Sequence, residues 1–451
     1  MTWTINNVRK TFIEYFENLD HKFIQSSSVV PDNDKSLLFV NAGMNQFKDI
    51  ILNKKEPEYC RAVNSQKCIR AGGKHNDLTD VGKDIYHHTF FEMLGTWSFN
   101  DYWKQEIIDW SWDILINVYK LDKDRIYVTY FGGDDTLKLD SDDETKELWK
   151  KYLPEDKILP FGMKDNFWEM GLTGPCGPCT EIHYNRSDND DAKNLVNADH
   201  PDVIEIWNLV FMQYNRVSET ELIGLSKRHV DTGAGLERLT SLLQNKKSNY
   251  DTDAFSNIIE EINKISKVHQ YAGKINKDDI DNVDMAYRII ADHMRTIVVS
   301  IGDGVRPGHT KTENVLRLMI RRAIKECFVT LKMLDLDSKL ESKYTFEPFL
   351  HNLADVVCSS LCEYYTYLQD QNNINVIKQA IKDEEIMYGT TLQKGYHKFI
   401  VVYQKYMRRL ELKDIKIISD EDVKLLVKTH GFAHEFIEYE ATKRGFAINK
   451  H

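Results

Sequence analysis

The sequence predicts an α+β domain followed by a mostly helical one, and three observations carry that expectation. Up to residue 247 the chain alternates period-two and helical apolar patterns. From about Asp253 onward helical periods dominate, with few glycines. Between them lies a polar break, Gln244-Asn245-Lys246-Lys247-Ser248-Asn249. The expected domains are 1–247 and 248–451, and 451 residues suffice for two or three substantial cores.

The elements follow in order. Ile5, Val8, Phe12 and Phe16 recur at helical spacing, so 5–19 reads as a helix. Residues 36–40 read as a short strand. A strand ending at Arg70 enters the polar run Ala71-Gly72-Gly73-Lys74-His75-Asn76-Asp77-Leu78, and the chain returns as His87-His88-Thr89-Phe90-Phe91-Glu92-Met93-Leu94-Gly95. Two strands joined in this way put Arg70, His88 and Glu92 on one wall. Residues 105–118 read as a helix and 125–131 as a strand. The acidic stretches 134–147 and 188–202 read as solvated loops. In the strand 203–214, alternation groups Ile206, Asn208, Val210 and Met212 on one face, and Glu205, Trp207 and Phe211 on the other. The Asn208 amide needs partners amid that apolar surface, which a ligand or a neighbouring backbone can supply. Leu236 to Leu243 closes the first domain as an amphipathic helix.

The most informative run is Val230-Asp231-Thr232-Gly233-Ala234-Gly235-Leu236-Glu237-Arg238-Leu239. Two glycines let a ligand lie against the backbone. Arg238 follows near a helix N-terminus, where anions are favoured. Arginine's planar fork suits phosphate, so Arg70 and Arg238 together suit a triphosphate, and Asp231 suits a small cation beside it. Phe90 and Phe91 are divided between stacking a flat ring and core packing.

Composition narrows the class. The seven cysteines form no secreted disulfide framework. The lone Cys-x-x-Cys at Cys176 and Cys179 has no second pair of ligands nearby, and Cys358 and Cys362 read as small hydrophobes on one helix. A net charge of −11 argues against indiscriminate nucleic-acid binding, DNA included, while leaving room for a local basic stripe that contacts RNA. No apolar run approaches a membrane-spanning length. The mixed charges of 1–20 suit neither a signal nor a transit peptide, so a cytoplasmic enzyme is expected.

These runs, with Asn41-Ala42-Gly43-Met44-Asn45-Gln46-Phe47-Lys48, Ser65 to Leu78, Asp165-Asn166-Phe167-Trp168, Thr173 to Glu181 and Glu205-Ile206-Trp207-Asn208, resemble alanyl-tRNA synthetases. The resemblance covers nearly all of 1–300 and, more weakly, extends to about 445. It implies a class II antiparallel sheet flanked by helices, then a helical domain reading the acceptor stem of tRNA(Ala). It implies ATP, Mg²⁺ and L-alanine as ligands, and a monomer or weak dimer. Arg70 would hold the α-phosphate of ATP and Arg238 the γ-phosphate. His88 and Trp168 would line the adenylate site, with Met93 beside the adenine. Ile206, Trp207 and Asn208 would form the nucleotide wall, and Gly235 would approach the nucleotide through its backbone. Asn208 and Asp231 would contact alanine, and Val210 would close on its methyl. No metal ligands are firmly placed; Glu205 is a candidate.

The chain also departs from that pattern. It stops at His451, before the family's editing and C-terminal domains, so Ser-tRNA and Gly-tRNA are expected to form without being cleared. The acceptor-stem match in 304–322 puts Lys311 where the family usually has asparagine, and a match at Thr429-His430-Gly431-Phe432 puts Lys428 where aspartate is usual. Those two family residues read the G·U pair, whereas ammonium groups only donate, so relaxed dependence on G·U is expected. Arg317, Arg321, Arg322 and Lys325 form a basic helical face opposite Val315, Leu318 and Ile324, positioned for phosphates. Two other readings are an activating paralogue that serves a non-tRNA acceptor and a catalytically dead tRNA-binding paralogue. The second predicts loss of Arg70, Asp231 or Arg238, and all three are present.

Overall fold

A computed structural model describes residues 2–32, 37–72, 76–187, 189, 191–266, 270–331, 347–410 and 416–449. Gly73, Lys74 and His75 of the polar run, Ser36, and Asp188 and Asp190 of the acidic stretch lie outside them. The chain divides into two compact units, Met1–Ser256 and Asn257–His451. The divide falls beyond 247 because the intervening residues are built into the first unit. Asn249 bonds the His88 ring at 2.9 Å and Phe255 stacks on it at 4.8 Å.

The first unit runs α1 (Ile5–Glu17), β1 (Lys22–Phe23), α2 (Lys48–Ile51), β2 (Arg61–Ile69), β3 (Phe90–Phe99), α3 (Lys104–Asp113), β4 (Ile126–Phe131), α4 (Asp143–Trp149), β5 (Ile158–Phe161), α5 (Met163–Asn166), β6 (Phe167–Glu169), β7 (Gly174–Asn185), β8 (Val203–Ser218), β9 (Glu221–Gly235) and α6 (Leu236–Leu243). The strands form one nine-stranded sheet, ordered β1-β2-β3-β9-β8-β7-β4-β5, with β6 also on β7. Pairing is antiparallel except at the two ends, β1 with β2 and β4 with β5.

α1 forms as its periodicity predicts. Thr4 caps it, accepting from the Asn7 N–H at 3.2 Å, and Ile5, Val8, Phe12 and Phe16 are buried. Phe12 and Phe16 pack on Trp207 of β8, at 5.3 and 6.1 Å between rings, so α1 covers that face of the sheet. Arg9 goes down with them and makes a two-pronged pair to Glu92 of β3, 2.7 Å on each prong. Glu92 therefore faces α1, not the wall that carries Arg70 and His88, which corrects the sequence expectation. Alternation along β3 explains it: Phe90, Glu92 and Leu94 point one way, Phe91 and Met93 the other. Removing Arg9 leaves a buried carboxylate without its partner. Arg9→Met is expected to cost about 3–5 kcal/mol in urea unfolding, and Arg9→Met with Glu92→Leu to recover most of it.

Two other expectations change. Residues 37–40 form no strand: Val40 makes single backbone bonds to Val29 and Ile69, and buried Phe39 and Val40 plug the core from a loop. Within the acidic stretch 134–147, Asp142 caps α4 and receives buried Lys104 at 2.5 Å, so that end is a helix start rather than a solvated loop.

The second unit begins within α7 (Ser256–Ser266) and continues α8 (Val283–Gly302), α9 (Lys311–Lys325), α10 (Leu353–Leu361), α11 (Gln371–Leu410), β10 (Ile417–Ile418), α12 (Asp420–His430), α13 (His434–Lys443) and β11 (Ala447–Ile448). Its only sheet among the described residues is the parallel pair β10–β11. α9 buries Leu316, Met319, Ile320, Ala323 and Ile324, whereas Leu318, expected on the apolar face, is half exposed. No described helix is long and apolar enough to cross a membrane.

Candidate active site

The sheet face opposite α1 is built around glycines. Along β9, alternation puts Asp231, Gly233 and Gly235 on this face. A Cβ on Gly233 would lie 2.7 Å from the Met93 sulfur, so a side chain there would displace Met93. Gly235 has room for one, its nearest neighbour being the Arg238 side chain at 3.4 Å. Gly177 is required: a Cβ would meet the Phe211 carbonyl at 2.0 Å, where β7 bulges against β8 between Cys176 and Cys179.

Over this floor lies an open cleft, lined among others by Arg70, His88, Phe91, Met93, Glu205, Ile206, Gly233, Gly235 and Arg238. Arg70, just past β2, lays its guanidinium 5.0 Å over the Phe91 ring, and its Nε reaches the Asn41 carbonyl at 3.4 Å. Phe91 is thus the site phenylalanine, while Phe90 is fully buried core. Arg238, in the first turn of α6, donates to the Glu205 carbonyl at 2.9 Å and reaches its carboxylate at 3.3 Å. Tyr86 lies 5.4 Å beneath it. The His87 backbone and ring are both held by Asp84, the ring at 2.5 Å. Two guanidiniums therefore share one wall with much of their donor capacity open.

Alternation fails at Glu205. Trp207 pairs with Ile182, but Glu205 pairs with His183, so Ile206 is an extra residue in a bulge. Glu205 therefore turns into the cleft rather than away with Trp207. The Trp207 ring, expected to belong to the nucleotide wall, packs on α1 and faces away from the cleft; only its backbone lies at the site face.

Beyond Gly233 the face becomes a buried apolar cluster at the end of the cleft. Asp231 sits between Trp97 on β3 and Val210 on β8, its two cross-strand partners. Val210 packs in a cluster with Trp97, Met170, Cys179 and Met212, and Met93 and Trp168 border it. Asp231 is 6 % exposed and accepts from the Trp97 indole N–H at 2.6 Å. No cation pairs with it among the described residues. Burial pushes its carboxyl up to about 7, opposed by the Trp97 hydrogen bond. Asn208 donates to Glu181 at 3.4 Å, and its buried amide oxygen has no partner among the described residues. Glu181 is itself raised by burial, against the hydrogen bond from His183.

His88, Met93, Trp168, Ile206, Asn208, Val210, Asp231, Gly235, Arg70 and Arg238 thus collect along one sheet face. Trp97 and Asn249 were missed in the sequence. Gly95-Thr96-Trp97 did carry a signal, since a glycine two residues before a tryptophan on one strand face leaves space for its ring.

The sequence-expected nucleic-acid contacts lie in the second unit. Lys311 opens α9 and Lys428 lies in the last turn of α12; both are exposed. Arg321 is engaged within the unit, bonded to Glu384 at 2.6 Å and 4.8 Å over Tyr388, and Lys325 pairs with Glu326 at 2.8 Å. Arg317 bonds Asn314 at 2.6 Å. Arg322 is half-buried near His293, so the basic face is built partly into the helical core.

A long antiparallel sheet, its glycine-floored cleft walled by one arginine after β2 and one in the helix after the last strand, is the class II synthetase fold. Residues 7–451 match the family model described as tRNA synthetases class II (A), and the chain belongs to that family. It is 47% identical over 452 residues to the cytoplasmic alanine–tRNA ligase of Dictyostelium discoideum, covering 99% of this chain and 46% of that protein. It is 45% identical over 453 residues to the mitochondrial alanine–tRNA ligase of Saccharomyces cerevisiae, covering 99% and 44%. The chain thus spans about half the length of the curated relatives it matches. Among solved structures it is similar to histidyl-tRNA synthetase from S. aureus, at TM-score 0.32 and 10% identity, over 53% of this chain and 66% of that one.

Proposed function

We propose that this protein is an alanine–tRNA ligase: it activates L-alanine with ATP and transfers it to the 3′ adenosine of tRNA(Ala). The observation that carries the reading is Asp231, a buried carboxylate with no cation partner among the described residues, set against an apolar cluster two residues along β9 from the glycine floor of a two-arginine cleft. A small α-amino acid supplies the missing ammonium, and Val210, the cross-strand neighbour of Asp231, would face its methyl. The open Asn208 oxygen offers a second acceptor to the same ammonium. Relatives named alanine–tRNA ligase, 47% and 45% identical, agree with it.

In the first step an alanine carboxylate oxygen attacks the α-phosphorus of ATP and pyrophosphate leaves. In the second, the terminal ribose hydroxyl of the tRNA attacks the adenylate carbonyl and AMP leaves. Arg70 holds the α-phosphate and Arg238 the γ-phosphate, with Phe91, Met93, His88 and the strand backbone at Ile206 and Gly235 around the nucleoside. Catalysis rests on positioning and charge stabilisation. Glu205, the carboxylate that lines the cleft beside Arg238, would hold Mg²⁺, an ion that takes one or two protein carboxylates. When bound it neutralises phosphate charge. A cytoplasmic location is part of the reading, in line with the Dictyostelium relative. ATP–pyrophosphate exchange with each of the twenty amino acids tests the activation step: alanine is expected to lead, and exchange led by a larger or charged amino acid overturns the proposal.

Lys311 and Lys428 belong to the same proposal. Lys311 has φ +40°, a left-handed conformation that asparagine, the family's usual residue there, tolerates better than lysine. That favours the register of the match. Changing G·U to G·C in the tRNA acceptor stem is therefore expected to reduce charging by no more than about tenfold, or ~1.4 kcal/mol. Abolished charging of the G·C transcript would remove the proposal.

A further inference from the structure

We propose that Trp97 is a positioning residue of the amino-acid pocket: its indole N–H fixes one oxygen of Asp231 so that the other is presented to the substrate ammonium. The proposal rests on the alanine reading and adds a residue to it. The Trp97 ring closely covers the backbone of Gly95 and Gly43. Their lack of a side chain permits it. A Cβ on Gly95 would meet the ring at 2.1 Å, and one on Gly43 at 2.7 Å. Phe47 holds the ring from above, 4.7 Å between centroids. The indole is fully buried, and its 2.6 Å bond is the hydrogen bond to the Asp231 side chain among the described residues. The two glycines and Phe47 thus hold the ring where its N–H meets Asp231.

A carboxylate buried against apolar groups needs such a donor. It offers several lone pairs, and an unanchored one turns freely between orientations, only some of which meet an ammonium. A donor on one oxygen fixes the plane and favours the ionised form that binds a cation. Of the groups on the packed strands and loops, Cys68 of β2 and Tyr102 after β3 feel the Asp231 charge. Burial raises both, so neither changes charge near neutral pH.

The test is alanine-dependent ATP–pyrophosphate exchange from pH 6 to 9 with the wild-type chain and two variants. One is Trp97→Phe. The other replaces the indole by its sulfur isostere benzothiophene through site-specific incorporation, which keeps the shape, removes the N–H and guards against a folding defect. Both are expected to raise KM for alanine about tenfold or more with kcat at saturating alanine within about twofold, because a hydrogen bond to a charged group is lost. The pH midpoint of kcat/KM is expected to move upward. An unchanged midpoint and KM with the isostere overturns the proposal. Wild-type protein lacking alanine-dependent exchange would instead overturn the alanine reading beneath it.

Discussion

Asp231→Asn is expected to cut alanine activation by about 10²-fold or more while making the unliganded protein more stable above neutral pH. The first effect follows from removing the charge that meets the ammonium. Losing one partner of a desolvated ion pair costs about 2–5 kcal/mol, which lowers kcat/KM for alanine by about 10²-fold or more. The second follows from linkage. The Asp231 carboxyl is raised from 3.8 to about 7 in the fold, so the native state holds its proton more tightly than the unfolded chain. Stability therefore falls as pH rises between those two values and the loss is complete above about 7. Asparagine removes that loss and still accepts the Trp97 N–H. The gain is on the order of 4 kcal/mol at pH 8 and nil at pH 3, read as the difference in urea midpoints. In the wild type the same titration raises KM for alanine as pH falls below 7, because the protonated carboxyl no longer attracts an ammonium. A variant that loses stability at pH 8, or retains wild-type alanine exchange, contradicts this account of Asp231.

Arg70→Ala is expected to lower the rate of pyrophosphate exchange by about 10²–10³-fold, the usual cost of removing one preorganised donor from a developing charge. The guanidinium is held by Phe91 at 5.0 Å and the Asn41 carbonyl at 3.4 Å, so it waits in place with donors to spare. Arg70→Lys is expected to restore little, since an ammonium neither stacks on Phe91 nor binds two oxygens in one plane. Neither change alters the core, so thermal unfolding is expected to stay near wild type. Recovery of full exchange by Arg70→Lys would show that only charge matters at this position.

Much of this was legible because it follows from period and spacing. The α1 stripe, β8 and the Gly233–Arg238 turn each bind local sequence to one geometry. The cleft arginines were legible because few other residues suit a polyphosphate. What stayed hidden depends on partners far away in sequence. The bulge that turns Glu205 into the cleft is set by its register against β7, and alternation read along β8 alone sends it the wrong way. Trp207 carries no mark that it will pack on Phe12 rather than line a ligand. Glu92 sits in a functional motif, yet Arg9, 83 residues away, claims it. Trp97 became visible only when Gly43, Gly95 and Asp231 were brought around it. The basic face of α9 read as a phosphate surface because Glu384, which takes up Arg321, lies on a separate helix.

On the proposed reading, the protein both activates alanine and transfers it to tRNA(Ala). Charging of a tRNA(Ala) transcript with radiolabelled alanine, followed as acid-precipitable counts, tests it most directly. Alanine-dependent, ATP-dependent charging by the wild-type chain, slowed about 10²-fold or more in Asp231→Asn, is the expected result. Alanine-dependent pyrophosphate exchange without any charging of the tRNA would contradict it and assign the adenylate to another acceptor.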